Sequence, residues 1–242
     1  GATAKFVAPK AGEMLSSYMR RSGMTPELMA FHGTPHRFPA EEGAPLGRFR
    51  SEKIGTGEGA QSFGYGLYFA ESPGTAKTYR PVELTSEELA SQIKYAEYMA
   101  ANSSNPSAKE GFANAAKKLK ASQGKQGSLY TVDIPDEMIN KMLDWDKPLN
   151  QQPKSVQDAV AKLPFETQAV PMTGGDIVDA ANAFAASEVL GRNPAGGSEL
   201  LRQAGIPGIR YLDQGSRAGG EGTRNIVVFP GGEDQVKIIK VE

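Results

Sequence analysis

Hydrophobic and polar positions along this chain predict short strands interleaved with helices. Alternating or continuous apolar runs of strand length occupy six segments: 28–31, 65–70, 128–135, 206–212, 225–229 and 235–241. Helical spacing of apolar residues or helix-start signals mark five more: 11–21, 72–79, 155–162, 175–190 and 199–203, of which Gly205 ends the last. The pattern predicts an α+β domain, although it does not by itself select one fold of that class.

Two polar helices interrupt this pattern between residues 86 and 122. They are rich in Ala, Lys, Glu and Gln and carry only a thin apolar stripe, so they have little surface to bury. We expect an inserted helical hairpin over 86–122 within one domain that spans 1–242, preceded by a tail and a helix over 1–25. The only tryptophan, Trp145, is expected to be buried in a turn after the third strand.

Composition excludes several classes of protein and site. The 242 residues are 39% hydrophobic and 23% charged, as in a soluble globular protein, and the net charge of −1 gives no basic footprint for nucleic acid. With no cysteine and two histidines, only a carboxylate-rich metal site is possible. No apolar run reaches the length of a membrane span and no signal peptide is evident. The start at Gly1 instead of Met suggests a processed chain or a piece of a longer polypeptide.

The first candidate for chemistry is a strand end with two histidines. The apolar run that ends at Phe31 is followed by His32 and Gly33, and Pro35 biases the residue before it toward an extended conformation. A histidine beside a glycine at a strand end is well placed to contact a ligand, because the backbone can approach closely there. The same ring could instead hydrogen-bond locally and close the turn.

The second candidate is the alternating segment 65–70, in which Tyr68 stands between the small residues Gly66 and Ala70. A tyrosine over small neighbours forms a platform on which a flat ring can stack, or it fills a tapered core. The preceding loop contains Gly55-x-Gly57-x-Gly59, which is not the dinucleotide fingerprint, because no hydrophobic strand precedes it and no helix starts at its last glycine.

Together, His32-Gly33-Thr34, Gly66-Leu67-Tyr68-Phe69-Ala70 and the later Tyr79 resemble the first two signature motifs of the diphtheria-toxin-like and poly(ADP-ribose) polymerase-like ADP-ribosyltransferases. The fuller pattern adds Gly-Thr-Gly-Glu-Gly-Ala-Gln at 55–61 and Gly-Ile-Arg-Tyr-Leu-Asp-Gln-Gly-Ser-Arg at 208–217. It is similar to ADP-ribosyltransferase domains inside the polyvalent proteins of phages and mobile elements. The motifs cover about a third of the chain.

The resemblance implies a fold, a substrate and a set of binding residues. The fold is a split α+β core in which two packed sheets form a cleft for NAD⁺, and no metal is required. His32 would bind ribose hydroxyls, and Gly33 with Thr34 would hold the nicotinamide amide. Tyr68, within the motif that includes Gly66 and Phe69, would sandwich the nicotinamide ring with Tyr79. Arg48 and Arg50, in the polar loop between the two motifs, either face the pyrophosphate or are solvated.

The third motif of the family departs from its usual form. Members carry a glutamate at the start of a late strand, where it holds the ribose and stabilises positive charge, and Asn225 takes that position here. Asparagine can hydrogen-bond a ribose hydroxyl but carries no charge. Glu221 or Asp213 could supply the carboxylate, although a solvated loop glutamate is the alternative for Glu221. A second departure is Ala76, where polymerase-like members often have serine.

The expected function is therefore mono-ADP-ribosyl transfer, with His32, Tyr68, Asn225 and Glu221 as the candidate catalytic residues. The resemblance implies a phage or bacterial effector or toxin that acts in the bacterial cytoplasm or inside a host cell. The acceptor is expected to be a protein rather than nucleic acid, and no membrane is involved. One alternative is a catalytically weak NAD-binding or structural domain. Another is an NAD-independent toxin ribonuclease that uses His32 and His36 as acid and base.

Overall fold

Seven strands form one mixed sheet in the part of the chain that the computed structural model describes, namely residues 28–55, 62–79, 84–122, 127–167, 171–187, 193–213, 216 and 222–242. The strands are β1 (Leu28–Thr34), β2 (Leu67–Ala70), β3 (Ser128–Ile134), β4 (Leu143–Asp144), β5 (Gly208–Leu212), β6 (Arg224–Val228) and β7 (Lys237–Val241). The helices are α1 (Pro73–Lys77), α2 (Ser86–Asn102), α3 (Pro106–Ser122), α4 (Asp136–Ile139), α5 (Lys154–Val160), α6 (Gly174–Ser187) and α7 (Gly196–Ala204). The architecture is α+β, as the hydrophobic pattern predicts.

The strand order, β4-β5-β6-β2-β1-β3-β7, places the two motif-bearing strands side by side near the middle of the sheet. Their neighbours are joined by continuous ladders: β1 pairs with β3 along its whole length, and β2 pairs with β6 over all four of its residues. Between β1 and β2, however, the structure pairs only Phe31 with Ala70. The sheet is therefore held together on both sides of this junction and opens at the junction itself.

Alternate residues of the central strands point to opposite faces of the sheet, as the strand period requires. On one face, Leu67 and Phe69 pack with Ile226 and Val228 and with residues of β3 and α4. On the other face, Val227 and the neighbouring β5 residues pack against the apolar sides of α5, α6 and α7, with Tyr68 at the margin. Two hydrophobic cores thus cover the two faces of the sheet.

Three expectations from the sequence are corrected by the structure. The described strands form a single sheet instead of two, because the separation is confined to the β1–β2 junction. β2 begins at Leu67, so Tyr65 precedes the strand. Trp145 is half-buried, not buried. One side of its ring packs on α6, where a Cβ on Gly175 would come within 2.7 Å of the ring.

The polar segment 86–122 forms the hairpin of α2 and α3 that was expected. A capping box formed by Thr85 and Glu88 starts α2, and each helix buries one described residue, Ala96 in α2 and Ala116 in α3. The two helices contact each other far more than any other described element. No helix in the described ranges is long and apolar enough to cross a membrane. The expected tail and helix over 1–25 lie outside the described residues.

Candidate active site

A cleft of about 550 Å³ opens where β1 and β2 separate. Beyond the pair of Phe31 with Ala70, an antiparallel ladder would continue with His32 opposite Phe69, but this pairing is absent from the two described strands. The cleft brings together eight of the nine predicted site residues: His32, Gly33, Thr34, Gly66, Tyr68, Phe69, Tyr79 and Asn225. The ninth, Glu221, lies outside the described residues. The cleft volume is within the range of about 300–1,000 Å³ that is typical of small-molecule sites.

His32 bridges the two separated strands. Its ring Nδ1–H donates a hydrogen bond to the Tyr68 carbonyl at 2.8 Å, and because a carbonyl can only accept, this contact assigns the proton to Nδ1. Burial lowers the pKa of His32 below its ordinary value, although the bond to Tyr68 acts in the opposite direction. The ring packs edge-on against Phe49, with centroids 5.1 Å apart. His32 is therefore neutral at pH 7, and Nε2 is left as a hydrogen-bond acceptor.

The lowered pKa of His32 predicts a loss of stability in mild acid. Unfolded histidine titrates near pH 6.5, so folding is fully favoured above that pH and is increasingly opposed as the pH falls toward the lower pKa of the folded state. The free energy of unfolding should fall by up to about 1.4 kcal/mol per pH unit in this window. Urea titrations from pH 7 to 5 should show this slope in the wild type and in His36→Gln. Equal slopes in the wild type and His32→Gln would contradict the prediction.

The backbone of Gly33 faces the opening. In β1, alternate residues direct their N–H and C=O groups to the same edge, and Gly33 follows Phe31 by two positions. Leu129, the partner of Gly33 on β3, exchanges both of its backbone hydrogen bonds with Glu242, at 2.9 Å each, on its other side. The N–H and C=O of Gly33 therefore do not bond to β3, and they point together into the gap beside β2. Thr34 is buried, and its hydroxyl accepts a hydrogen bond from the His36 N–H at 3.3 Å.

Two hydrogen bonds at its hydroxyl fix the Tyr68 side chain. Its hydroxyl donates to the Gly64 carbonyl at 2.8 Å and accepts from the Phe63 N–H at 3.2 Å. Burial raises the pKa of Tyr68 to about 12, so the hydroxyl is protonated at neutral pH. Gly66 lies against β6, where a Cβ would come within 2.5 Å of the Val228 carbonyl. The ring of Tyr68 is thus a rigid wall of the cleft, and its hydroxyl is committed to the protein.

Tyr79 supplies a second aromatic wall. It follows α1, whose first turn is capped by the Ser72 hydroxyl accepting from the Thr75 N–H at 3.4 Å, and its own N–H donates to the Ala76 carbonyl at 3.2 Å. The side chain is 49% exposed and lines the cleft. Tyr79 also contributes, after burial, to the raised pKa of Tyr68. Both tyrosine side chains therefore belong to the lining of the same cleft.

Asn225 lies on the same face of the sheet as Tyr68. It pairs with Ala70 of β2 and Tyr211 of β5, and residues that are directly opposite in a ladder point the same way. Its side chain is half-buried at the cleft and makes no hydrogen bond within the described residues. Asp213 is not among the described residues that line the cleft, and its oxygens accept hydrogen bonds from the Ser216 N–H at 2.8 Å and from the Thr223 hydroxyl.

The sequence did not indicate that the Glu71 carboxylate lies near Asn225. Glu71 Oε2 accepts the backbone N–H of Arg224 at 3.0 Å, and the Glu71 N–H donates to the Arg224 carbonyl at 2.9 Å. The Glu71 carboxylate thus accepts the Arg224 N–H that the Glu71 carbonyl would accept in a regular β2–β6 ladder. Arg224 is the residue before Asn225. A glutamate directly after a strand carries no signal of such a role. Among the described residues that line the cleft, Glu52 is the one carboxylate.

One part of the cleft is cationic. Arg48 and Arg50 line it, and Glu41 lies beside both, with its Oε1 2.5 Å from Arg50 and its Oε2 3.9 Å from Arg48. The hydrogen bond to Glu41 raises the pKa of Arg50 above its already high ordinary value.

No group of three or more potential metal ligands occurs within the described ranges. Comparison of the chain with protein-family models, curated proteins and solved structures gave no match.

Proposed function

We propose that this protein is an NAD⁺-dependent mono-ADP-ribosyltransferase, and that its split sheet is the NAD⁺ cleft of the ADP-ribosyltransferase fold. The observation that carries the proposal is the backbone of Gly33, whose N–H and C=O point together into the cleft. The primary carboxamide of nicotinamide has one carbonyl acceptor and an N–H donor, so a single residue can bind both. Tyr68 and Tyr79 stand in the same cleft as walls for its flat ring.

The reaction proposed for this cleft breaks the bond between nicotinamide and ribose. Both bonding electrons go to the nicotinamide nitrogen, which loses its positive charge, and the ribose carbon C1′ becomes cationic. A nucleophile of the acceptor then bonds to C1′ and releases its proton to solvent. The leaving group departs without protonation, so the neutral Tyr68 hydroxyl and the neutral His32 are compatible with this step.

The residues of the cleft divide this work between binding and orientation. Nε2 of His32 would accept a hydrogen bond from a ribose hydroxyl, since its Nδ1–H is held by Tyr68. The side-chain amide of Asn225, which has no partner within the described residues, would hold the ribose that is bonded to nicotinamide. Neither group places a negative charge beside C1′. We therefore propose slow transfer of single ADP-ribose units, to a protein in preference to nucleic acid, because the net charge of −1 gives no basic footprint.

A second candidate function is NAD⁺ binding with little turnover. It is favoured by the uncharged Asn225 at the position where the resemblance expects a glutamate. Loss of one electrostatic group of this kind typically costs about 2.7–4 kcal/mol of transition-state stabilisation. The two functions share one ligand, and the rate of nicotinamide release separates them.

The test combines the purified protein, labelled NAD⁺ and a bacterial lysate. We expect release of nicotinamide, and modified proteins that mass spectrometry identifies by the mass of one ADP-ribose. His32→Gln should lose this activity, and His36→Gln should keep it, provided that both variants retain the circular dichroism of the wild type. Binding of NAD⁺ without nicotinamide release would favour the second candidate. RNA cleavage without NAD⁺ that requires both histidines would instead support a ribonuclease.

A further inference from the structure

The loop between β1 and the 3-10 helix at 51–53 exposes two arginines, Arg48 and Arg50, at the cleft. Phe49, which is 5% exposed, packs against the rings of His32 and Phe69 at centroid distances of 5.1 and 5.0 Å. In an extended segment, neighbouring side chains point to opposite sides. Arg48 and Arg50 therefore flank the buried Phe49 on the outer side, and both line the cleft. The aromatic anchor gives the two guanidinium groups a common direction.

The same loop turns back and brings Glu41 onto these arginines. Glu41 and Ala44 exchange two backbone hydrogen bonds, of 3.0 and 2.9 Å. Gly43 and Gly47 adopt left-handed φ values of 70° and 84°, which other residues rarely reach, and Gly47 lies so close to Phe38 that a Cβ would come within 2.4 Å of it. The turn is therefore built to a defined shape. It holds the Glu41 carboxylate between Arg48 and Arg50.

Arg48, Arg50 and Lys53 line this part of the cleft, and the nearby carboxylates are Glu41 and Glu52, so these five groups carry an excess of positive charge. The arginine side chains are 48% and 45% exposed, and ion pairs that are this exposed are weak. A phosphate group presents more acceptor oxygens and more charge than a carboxylate, and guanidinium groups bind both in the same fork geometry. A ligand that carries phosphate can therefore replace Glu41 at Arg48 and Arg50.

We propose that Arg48 and Arg50 bind the pyrophosphate of the cleft's ligand, and that Glu41 is an internal competitor that this pyrophosphate displaces. The proposal rests on the function proposed above and deepens it, because it assigns the anionic part of the dinucleotide to Arg48 and Arg50. It also makes Glu41 a residue that limits affinity. Removing its charge should therefore tighten binding of any ligand with a pyrophosphate and leave binding of nicotinamide unchanged.

Calorimetric titration of the full chain with three probes tests the proposal: ADP-ribose, inorganic pyrophosphate and nicotinamide. Glu41→Gln should bind ADP-ribose and pyrophosphate about fivefold more tightly than the wild type, as expected when one exposed ion pair is lost. Glu42→Gln removes the same charge from the neighbouring exposed position and should bind like the wild type. Combined Arg48→Gln and Arg50→Gln substitutions should weaken both anionic probes at least fivefold. In that background Glu41→Gln should have no further effect.

The probes separate failure of this proposal from failure of the proposed function. Unchanged or weaker binding of both anionic probes by Glu41→Gln would overturn the competitor role, even if nicotinamide binds the wild type. Absence of pyrophosphate and ADP-ribose binding in the wild type would overturn the anion site itself. Pyrophosphate binding that depends on the arginines and is opposed by Glu41, with no binding of nicotinamide or ADP-ribose, would support the site and refute the proposed function.

Discussion

Tyr79→Ala is expected to lower the affinity of the cleft for nicotinamide about tenfold without changing the melting temperature. The ring is 49% exposed, so its removal should change the free energy of unfolding by no more than about 0.5 kcal/mol. An aromatic contact contributes about 0.5–1.5 kcal/mol beyond the area it buries, and the positively charged ring of NAD⁺ adds a cation–π attraction. Calorimetry with nicotinamide and with NAD⁺, beside a thermal melt, measures both effects.

Tyr95→Ala is the matched control, because Tyr95 is 61% exposed and lies on α2, away from the cleft. Tyr68→Phe should instead lower the stability and leave the affinity for nicotinamide unchanged. It keeps the aromatic wall, but it leaves the Gly64 carbonyl and the Phe63 N–H without their hydroxyl partner, which should cost about 1–3 kcal/mol of stability. If Tyr79→Ala binds nicotinamide as tightly as Tyr95→Ala does, Tyr79 is not part of the ring site.

Local patterns could predict much of the sheet. Alternation in β2 distinguishes Tyr68 from Leu67 and Phe69, and the structure places them on opposite faces as that period requires. Gly205 ends α7 with a φ of 106°, as expected of a glycine after a helix. The strands at 128–134 and 224–228 are also close to their predicted bounds. These features depend on residues that are near one another in the chain.

The features that define the cleft depend on distant residues, and no local pattern could predict them. The Gly33 N–H and C=O point toward β2 because Gly33 is paired with Leu129, whose own backbone hydrogen bonds are made with Glu242. Phe49 comes from a loop between the two strands in the chain, and it packs against His32 of β1 and Phe69 of β2. Glu71 acquires its contact only because β6 arrives beside it. The motifs locate the candidate site, whereas its hydrogen-bonding geometry comes from tertiary structure.

Asn225→Glu is expected to raise the rate of NAD⁺ hydrolysis by roughly a hundred- to a thousandfold. Asn225 faces the cleft on the same side of the sheet as Tyr68, and a carboxylate there would lie beside the ribose carbon that becomes positive. Removing one electrostatic group from a transition state typically costs about 2.7–4 kcal/mol, so supplying it should return a similar amount. Chromatographic measurement of released nicotinamide, without an acceptor, gives the rate directly.

Asn225→Gln is the control for this substitution, since glutamine has the size of glutamate without its charge, and it should leave hydrolysis within about tenfold of the wild type. Asn225→Ala should lower turnover about tenfold, because a neutral hydrogen bond is worth about 0.5–1.5 kcal/mol. Equal rates for the Glu and Gln variants would mean that position 225 does not contact the reacting ribose. If, in addition, Glu221→Gln or Glu71→Gln abolishes turnover, the reaction already has a carboxylate at one of these two residues.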